Sequence, residues 1–143
     1  MRNASVTRAN ILKAAEAEFS AKGINGARIE EIAKKSGSNN RMIYEYYGNK
    51  EELYIAVLEN VYKRSGEKEE LLLENVTDCK KAIEDILRMY YDFLKNDESF
   101  VNLIMWENLN KAQYLKACDR IAGVKNPLIT SLHKILEKGK YRF

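Results

Sequence analysis

The sequence contains few of the residues that build metal sites and loop-rich folds. Its 143 residues include one proline, two cysteines and one histidine. Cys79 and Cys118 do not follow a metal-binding spacing such as CxxC, and His133 has no second histidine at ligand spacing. We therefore predict no metal site and no cofactor, and we expect both cysteines to be small core residues of helices.

Long apolar runs and catalytic motifs are also missing from the sequence. No segment approaches the ~20 apolar residues that a membrane-spanning helix needs. Lys13, Glu16 and Glu18 interrupt the first apolar pattern, which excludes a signal peptide. No nucleophile elbow, P-loop or zinc motif occurs. These absences predict a cytoplasmic protein without a membrane partner and give no support to an enzyme.

Apolar residues at helical spacing predict an all-α fold. The hydrophobic fraction of 45% is large enough for a buried core. A connection between the two functional parts, or a frayed helix end, is predicted at Ser65-Gly66 and the charged run 67–70. We expect that run to be a solvated helix face and 71–73 to begin another helix. The predicted helices span about 6–22, 29–36, 40–47, 50–64, 78–95, a segment from residue 100, 111–122, and a last helix from Asn126-Pro127 to Gly139.

Residues 28–47 have the pattern of a DNA-binding helix-turn-helix. Two short helices flank a Ser36-Gly37-Ser38 turn, and Asn39 is the predicted cap of the second helix. That helix would pack inward through Met42, Ile43 and either Tyr46 or Tyr47. The side chains left on the DNA side are Asn39, Asn40, Arg41, Tyr44 and Glu45.

The residue types on this face suit the major groove. Arg41 can bridge guanine O6 and N7, and Asn40 can bridge adenine N6 and N7. Lys50 and Arg28 open the fourth and second helices, where we expect them to contact phosphates. Residues 1–50 contain nine Lys or Arg against five Glu and no Asp, so the basic excess lies in the predicted DNA-binding part.

A set of residues follows the spacing of a known signature without a gap: Arg8, Ile11, Leu12, Ala14, Ala15, Phe19, Gly23, Ile32, Ala33, Gly37, Ile43, Tyr44, Tyr47, Lys50, Glu51 and Leu53. Through these residues, the chain resembles the N-terminal signature of the TetR family of transcriptional repressors over about residues 8–58. Arg28 stands where that family usually has Thr or Ser, and Tyr46 where it usually has His.

The resemblance implies a three-helix DNA-binding domain, residues 1–50, linked by a fourth helix to a helical ligand-binding and dimerisation domain, residues 51–143. It implies that the full-length form is a homodimer on a palindromic operator in double-stranded DNA, released by an unknown small-molecule effector. By position, Tyr44, Tyr46 and Lys50 match phosphate contacts, and 39–41 match residues that cap the helix and read bases. Because the family usually continues well past this point, we expect the chain to be incomplete at its C-terminus.

Aromatic side chains in the C-terminal half are candidates for the effector pocket. We predict that Tyr90, Phe93, Phe100, Met105 and Trp106 line a pocket for a small hydrophobic ligand. The alternative is an ordinary core, because aromatic residues at helical spacing usually serve packing.

The whole protein also has an alternative interpretation. A helical protein-interaction module would use its helix-turn-helix only as a packing unit and bind a partner helix through the apolar segment 100–109.

Overall fold

The computed structural model describes residues 3–74, 78–118 and 127–139, and these ranges are helical apart from short turns. The predicted all-α fold is confirmed. Asn126, the predicted start of the last helix, lies outside the described residues, as do residues 119–122 of the preceding segment. The helices are α1 (Ala4–Gly26), α2 (Ile29–Ser36), α3 (Asn40–Tyr47), α4 (Lys50–Leu73), α5 (Cys79–Asn96), α6 (Glu98–Leu109), α7 (Gln113–Ala117) and α8 (Pro127–Lys138).

The fourth helix is longer than its sequence predicted. α4 continues through Ser65 and Gly66 to Leu73, so the predicted connection and the predicted new helix at 71–73 were wrong. Ser65 is buried, and its hydroxyl donates to the Tyr62 carbonyl at 2.9 Å, which satisfies this buried polar group within the helix. Glu69 is buried one turn later. The buried face thus continues at i, i+4 spacing through a segment whose polar composition hides it.

The core runs without a break from the helix-turn-helix into the C-terminal helices. α1 packs against α2, α4 and α6, so the first helix belongs to both parts of the molecule. At the centre, the fully buried Tyr54 ring of α4 makes edge contacts with Phe19 of α1 and Tyr114 of α7, each with centroids 5.1 Å apart. No helix among the described residues has the length and apolarity to cross a membrane.

Candidate nucleic-acid interface

The turn of the helix-turn-helix depends on a glycine. Gly37 ends α2 in the left-handed region at φ 66°, and its N–H donates to the carbonyls of Ala33 and Lys34. A side chain at this φ would be strained, which explains glycine here. The Ser38 N–H then donates to the Ala33 carbonyl at 2.9 Å, and the chain turns directly into α3.

The start of α3 is fixed by Asn39. Its Oδ1 accepts a hydrogen bond from the Met42 N–H at 2.9 Å, which satisfies one of the free N–H groups at the helix start. The predicted cap is therefore present. Because its side-chain oxygen makes the cap, Asn39 positions the helix in this structure. The neighbouring Asn40 is half-buried and does not cap the helix.

α3 has one packed face and one open face. Ile43 is buried beneath the helix, while Tyr44 is 46% exposed on the other side. Arg41 and Glu45 share the open face, and Arg41 Nε donates to Glu45 Oε1 at 2.8 Å. Three side chains that the sequence placed on the DNA side, Arg41, Tyr44 and Glu45, thus lie together on the open face of α3.

The end of α3 is fastened to α1 by Arg8. Its guanidinium lies over the rings of Tyr46 and Tyr47, 5.4 and 5.7 Å from the centroids, and donates to the Tyr46 carbonyl at 3.2 Å. The Tyr47 hydroxyl donates to the Arg8 carbonyl at 3.0 Å. Burial raises the pKa of Tyr47, and the nearby guanidinium opposes that shift. Sequence reasoning missed this role of Arg8, although Arg8 is the first residue of the signature.

The two predicted phosphate contacts lie at helix starts. Arg28 precedes α2, is exposed, and makes no capping hydrogen bond. Lys50 is the first residue of α4, half-buried beside Asn49, whose Oδ1 caps the helix by accepting from the Glu52 N–H at 2.8 Å. The N–H groups at both starts add positive potential to the two side chains.

A buried carboxylate sets the position of α2 against α1. Glu18 has no exposed side-chain surface, and its two oxygens accept from Lys22 and Lys35, each at 2.7 Å. Burial alone would raise the pKa of Glu18, but these two hydrogen bonds lower it below its ordinary value. Sequence reasoning treated Glu18 as a break in the apolar pattern and missed this bridge.

A second ionic cluster joins α1 to the C-terminal helices. Arg64 of α4 donates to both oxygens of Glu16, at 3.0 and 2.8 Å, and to Asp97 at 3.1 Å. Ser99 also donates to Glu16. The side chains of Arg64, Glu16 and Asp97 are 35%, 15% and 20% exposed. We call this group, Glu16, Arg64, Asp97 and Ser99, the interdomain cluster.

Trp106 of α6 makes a third connection to α1. Its Nε1 donates to the Ser20 carbonyl at 3.0 Å, and its ring lies against Gly23. The ring also borders an open groove of about 800 Å³ between α1 and α6, whose lining includes the exposed Met105. Trp106 is therefore a structural contact to the DNA-binding half as well as a groove residue.

The five predicted pocket residues are not gathered around one cavity in the described part of the chain. Met105 and Trp106 face the groove between α1 and α6. Phe93 and Phe100 are buried, with ring centroids 4.7 Å apart. Tyr90 is half-buried, and its hydroxyl is enclosed without a hydrogen-bond partner. The effector pocket stays a prediction.

Two family models match most of the chain. The model for bacterial regulatory proteins of the tetR family matches residues 11–57, and the model for the tetracyclin repressor-like C-terminal domain matches residues 80–142. The chain belongs to the TetR family. The TetR membership predicted from the signature is confirmed, and α1–α3 with the start of α4 form the TetR helix-turn-helix part.

Named relatives agree with this assignment. The HTH-type transcriptional repressor NicS of Pseudomonas putida is 34% identical over 134 residues, which cover 94% of this chain and 63% of NicS. This chain therefore spans less than two thirds of the length of NicS. HlyIIR, a hemolysin II transcriptional regulator, matches with a TM-score of 0.72 at 26% identity, over 96% of this chain and 75% of HlyIIR. FadR from Bacillus subtilis in complex with stearoyl-CoA matches in fold, with a TM-score of 0.75 at 21% identity, over 95% and 74% of the two chains.

Proposed function

We propose that this protein is a sequence-specific DNA-binding transcriptional regulator, acting as a repressor and not as an enzyme. The observation that carries the proposal is the open face of α3. Arg41, Tyr44 and Glu45 project from a helix whose opposite face is packed through Ile43. A helix fixed at its start by Asn39 and at its end by Arg8 can enter a major groove without reordering.

The proposed contacts divide by chemistry. Arg41 reads guanine and Asn40 reads adenine at base edges. Arg28, Lys50, Tyr44 and Tyr46 contact phosphates, which sets the register of the helix but carries no sequence information. The Arg8 guanidinium lies over one face of the Tyr46 ring. We therefore propose that Tyr46 contacts a phosphate from the part of its ring that Arg8 does not cover.

For the full-length form we propose a homodimer that presents two copies of α3 to a palindromic operator. A two-fold dimer doubles the number of phosphate contacts, and affinity for DNA rises steeply with that number. The relationship to NicS, which is named as a transcriptional repressor, supports the DNA-binding role itself. A regulator of bacterial DNA acts in the cytoplasm.

We also propose that a small hydrophobic effector binds among the C-terminal helices and changes DNA affinity. The interdomain cluster and the Trp106 contact both tie α1 to these helices, so a shift there would be transmitted to the helix-turn-helix. Tyr90 supports a ligand site, because its enclosed hydroxyl offers a hydrogen bond that the described residues leave unused.

DNA binding is tested by a shift assay with genomic fragments and the natural full-length protein. We expect the wild type to slow the migration of particular fragments. Arg41→Ala should weaken the binding of those fragments by about tenfold or more, as loss of one bidentate base contact implies. Arg88→Ala is the matched control, because Arg88 is exposed on α5, away from α3. Equal DNA binding by Arg41→Ala and Arg88→Ala would contradict the proposal. So would a wild type that shifts no fragment.

A further inference from the structure

α3, the helix proposed to read DNA, carries a single carboxylate. This carboxylate lies on the helix face that we propose contacts the DNA. Glu45 is the one acid of α3, and its side chain is 57% exposed. A carboxylate near the phosphates weakens binding to every DNA sequence by like-charge repulsion. The presence of a residue with this general cost on the proposed DNA face is explained if it discriminates among bases.

Glu45 is joined to the proposed guanine reader one helical turn away. Arg41 Nε donates to Glu45 Oε1 at 2.8 Å, and the Arg41 side chain is 88% exposed. The contact uses Nε and leaves the N–H groups of Nη1 and Nη2 to other acceptors. Guanine presents O6 and N7 side by side, which suits a planar fork held in this way.

We propose that Arg41 and Glu45 read DNA as one unit, with Glu45 as the residue that determines specificity. In this unit Arg41 binds a guanine, and Glu45 orients Arg41 and accepts a hydrogen bond from the N4 amino group of a cytosine. The inference rests on the proposed function, since it specifies the DNA that the same surface takes.

Helix geometry sets the distance between the two bases. Four residues of α-helix rise about 6 Å, and base pairs stack about 3.4 Å apart. The guanine and the cytosine therefore lie one or two base pairs apart within a half-site. Guanine and thymine present acceptor atoms at their major-groove edges, and these repel the Glu45 carboxylate. The N4 amino group of cytosine is a donor, from which the carboxylate accepts a hydrogen bond.

The pair acts in the complex and has little effect on the free protein. An exposed ion pair at i, i+4 spacing is weak in water, because the solvent screens it and both side chains lose freedom. At a base edge the same charges are shielded from water and interact more strongly. Substitution of either residue should consequently change base preference while leaving the folded state intact.

The test is selection of binding sites from a randomised pool of double-stranded DNA by the natural full-length protein. We expect the wild type to select half-sites with a guanine and a cytosine one or two base pairs apart. Glu45→Ala should lower the preference for that cytosine by about tenfold, the effect of one lost base contact. The same variant should bind unselected DNA more tightly than the wild type, because a negative charge is gone.

Two further variants separate reading from charge. Glu30→Ala removes an equal charge from an exposed position on α2 and should keep both base preferences. Arg41→Lys keeps the positive charge but lacks the fork, so it should lose the guanine preference. Thermal unfolding of each variant checks that the fold is retained.

The outcomes distinguish this inference from the proposed function. A wild type that selects defined sites without this guanine and cytosine would overturn the inference, and so would Glu45→Ala with unchanged base preferences. Either result leaves the protein a sequence-specific DNA binder. A wild type that selects no sequence at all would overturn both.

Discussion

Glu107 is a carboxylate in the core, where an unpaired charge would be strongly destabilising. Both of its oxygens are used: the Tyr54 hydroxyl donates to one at 2.8 Å, and the Leu115 N–H donates to the other at 3.2 Å. Burial, followed by the negative charge of Glu107, raises the pKa of Tyr54, so the phenol stays protonated and keeps donating. The Tyr54 hydroxyl and the Leu115 N–H therefore compensate together for the burial of Glu107.

Tyr54→Phe should destabilise the protein by about 1–3 kcal/mol, because it leaves a buried charged acceptor without its donor while keeping both ring contacts. Urea unfolding measures the change. Tyr91→Phe is the matched control, since Tyr91 is 65% exposed and the ring contact with Lys95 survives the substitution. Equal stabilities of the two variants would show that the Glu107 contact contributes nothing.

At the scale of single helices, two glycines with opposite surroundings make a matched pair. Gly66 lies inside α4, and a Cβ added there meets no atom within 4 Å. Gly66→Ala should stabilise the protein by about 0.5–1 kcal/mol, because alanine loses less backbone freedom than glycine on forming a helix. The measurement is the midpoint and slope of urea unfolding.

Gly23→Ala is the contrasting substitution. Gly23 has φ 68°, and its added Cβ would lie 2.9 Å from the Trp106 ring. The positive φ with an extended ψ of 174° alone makes alanine unfavourable there by about 1–3 kcal/mol, and displacement of the ring adds to this. A Gly23→Ala protein as stable as Gly66→Ala would refute the close approach of α6 to α1.

The same two regions mark where helix prediction works. The bounds of α2 and α3 agree with the predicted bounds residue for residue. Gly37 and the Asn39 cap form hydrogen bonds with residues only a few positions away, so their effect is visible in the local sequence. The predicted end of α4 was wrong. Ser65 and Gly66 are weak helix formers in isolation, and tertiary packing keeps them helical. Local signals are visible in the sequence, and packing signals are not.

For the whole molecule, the interdomain cluster makes stability depend on pH. Burial raises the pKa of Glu16, but hydrogen bonds from Arg64 and Ser99 together bring it below its ordinary value of 4.5. A carboxyl whose pKa is lower when folded stabilises the fold fully above its unfolded pKa. This stabilisation is lost as the pH falls below about 4.5 through the lowered folded value.

We therefore expect Glu16→Gln to lower the free energy of unfolding by about 1–3 kcal/mol at neutral pH. The difference from the wild type should shrink as the pH falls below 4.5, since the wild-type carboxyl is then protonated as well. Urea unfolding at a series of pH values measures this. Glu84→Gln, exposed on α5, should differ little from the wild type throughout. A gap for Glu16→Gln that stays constant down to low pH would refute the role of the charge.

The sequence by itself determined the all-α fold, the bounds of α2 and α3, and the helix-turn-helix with its glycine turn. These follow from periodicity, caps and spacing, in which the interacting groups lie within a few residues of each other. The TetR membership was predicted from the resemblance of residues 8–58 to the signature of that family. Tertiary structure alone decided the partners of Arg8, Glu18 and Trp106, and it separated the five aromatic and sulfur side chains predicted to share a pocket. The Trp106 contact to Ser20 joins residues 86 positions apart. Such contacts depend on the angles at which whole helices pack, and no short stretch of sequence encodes those angles.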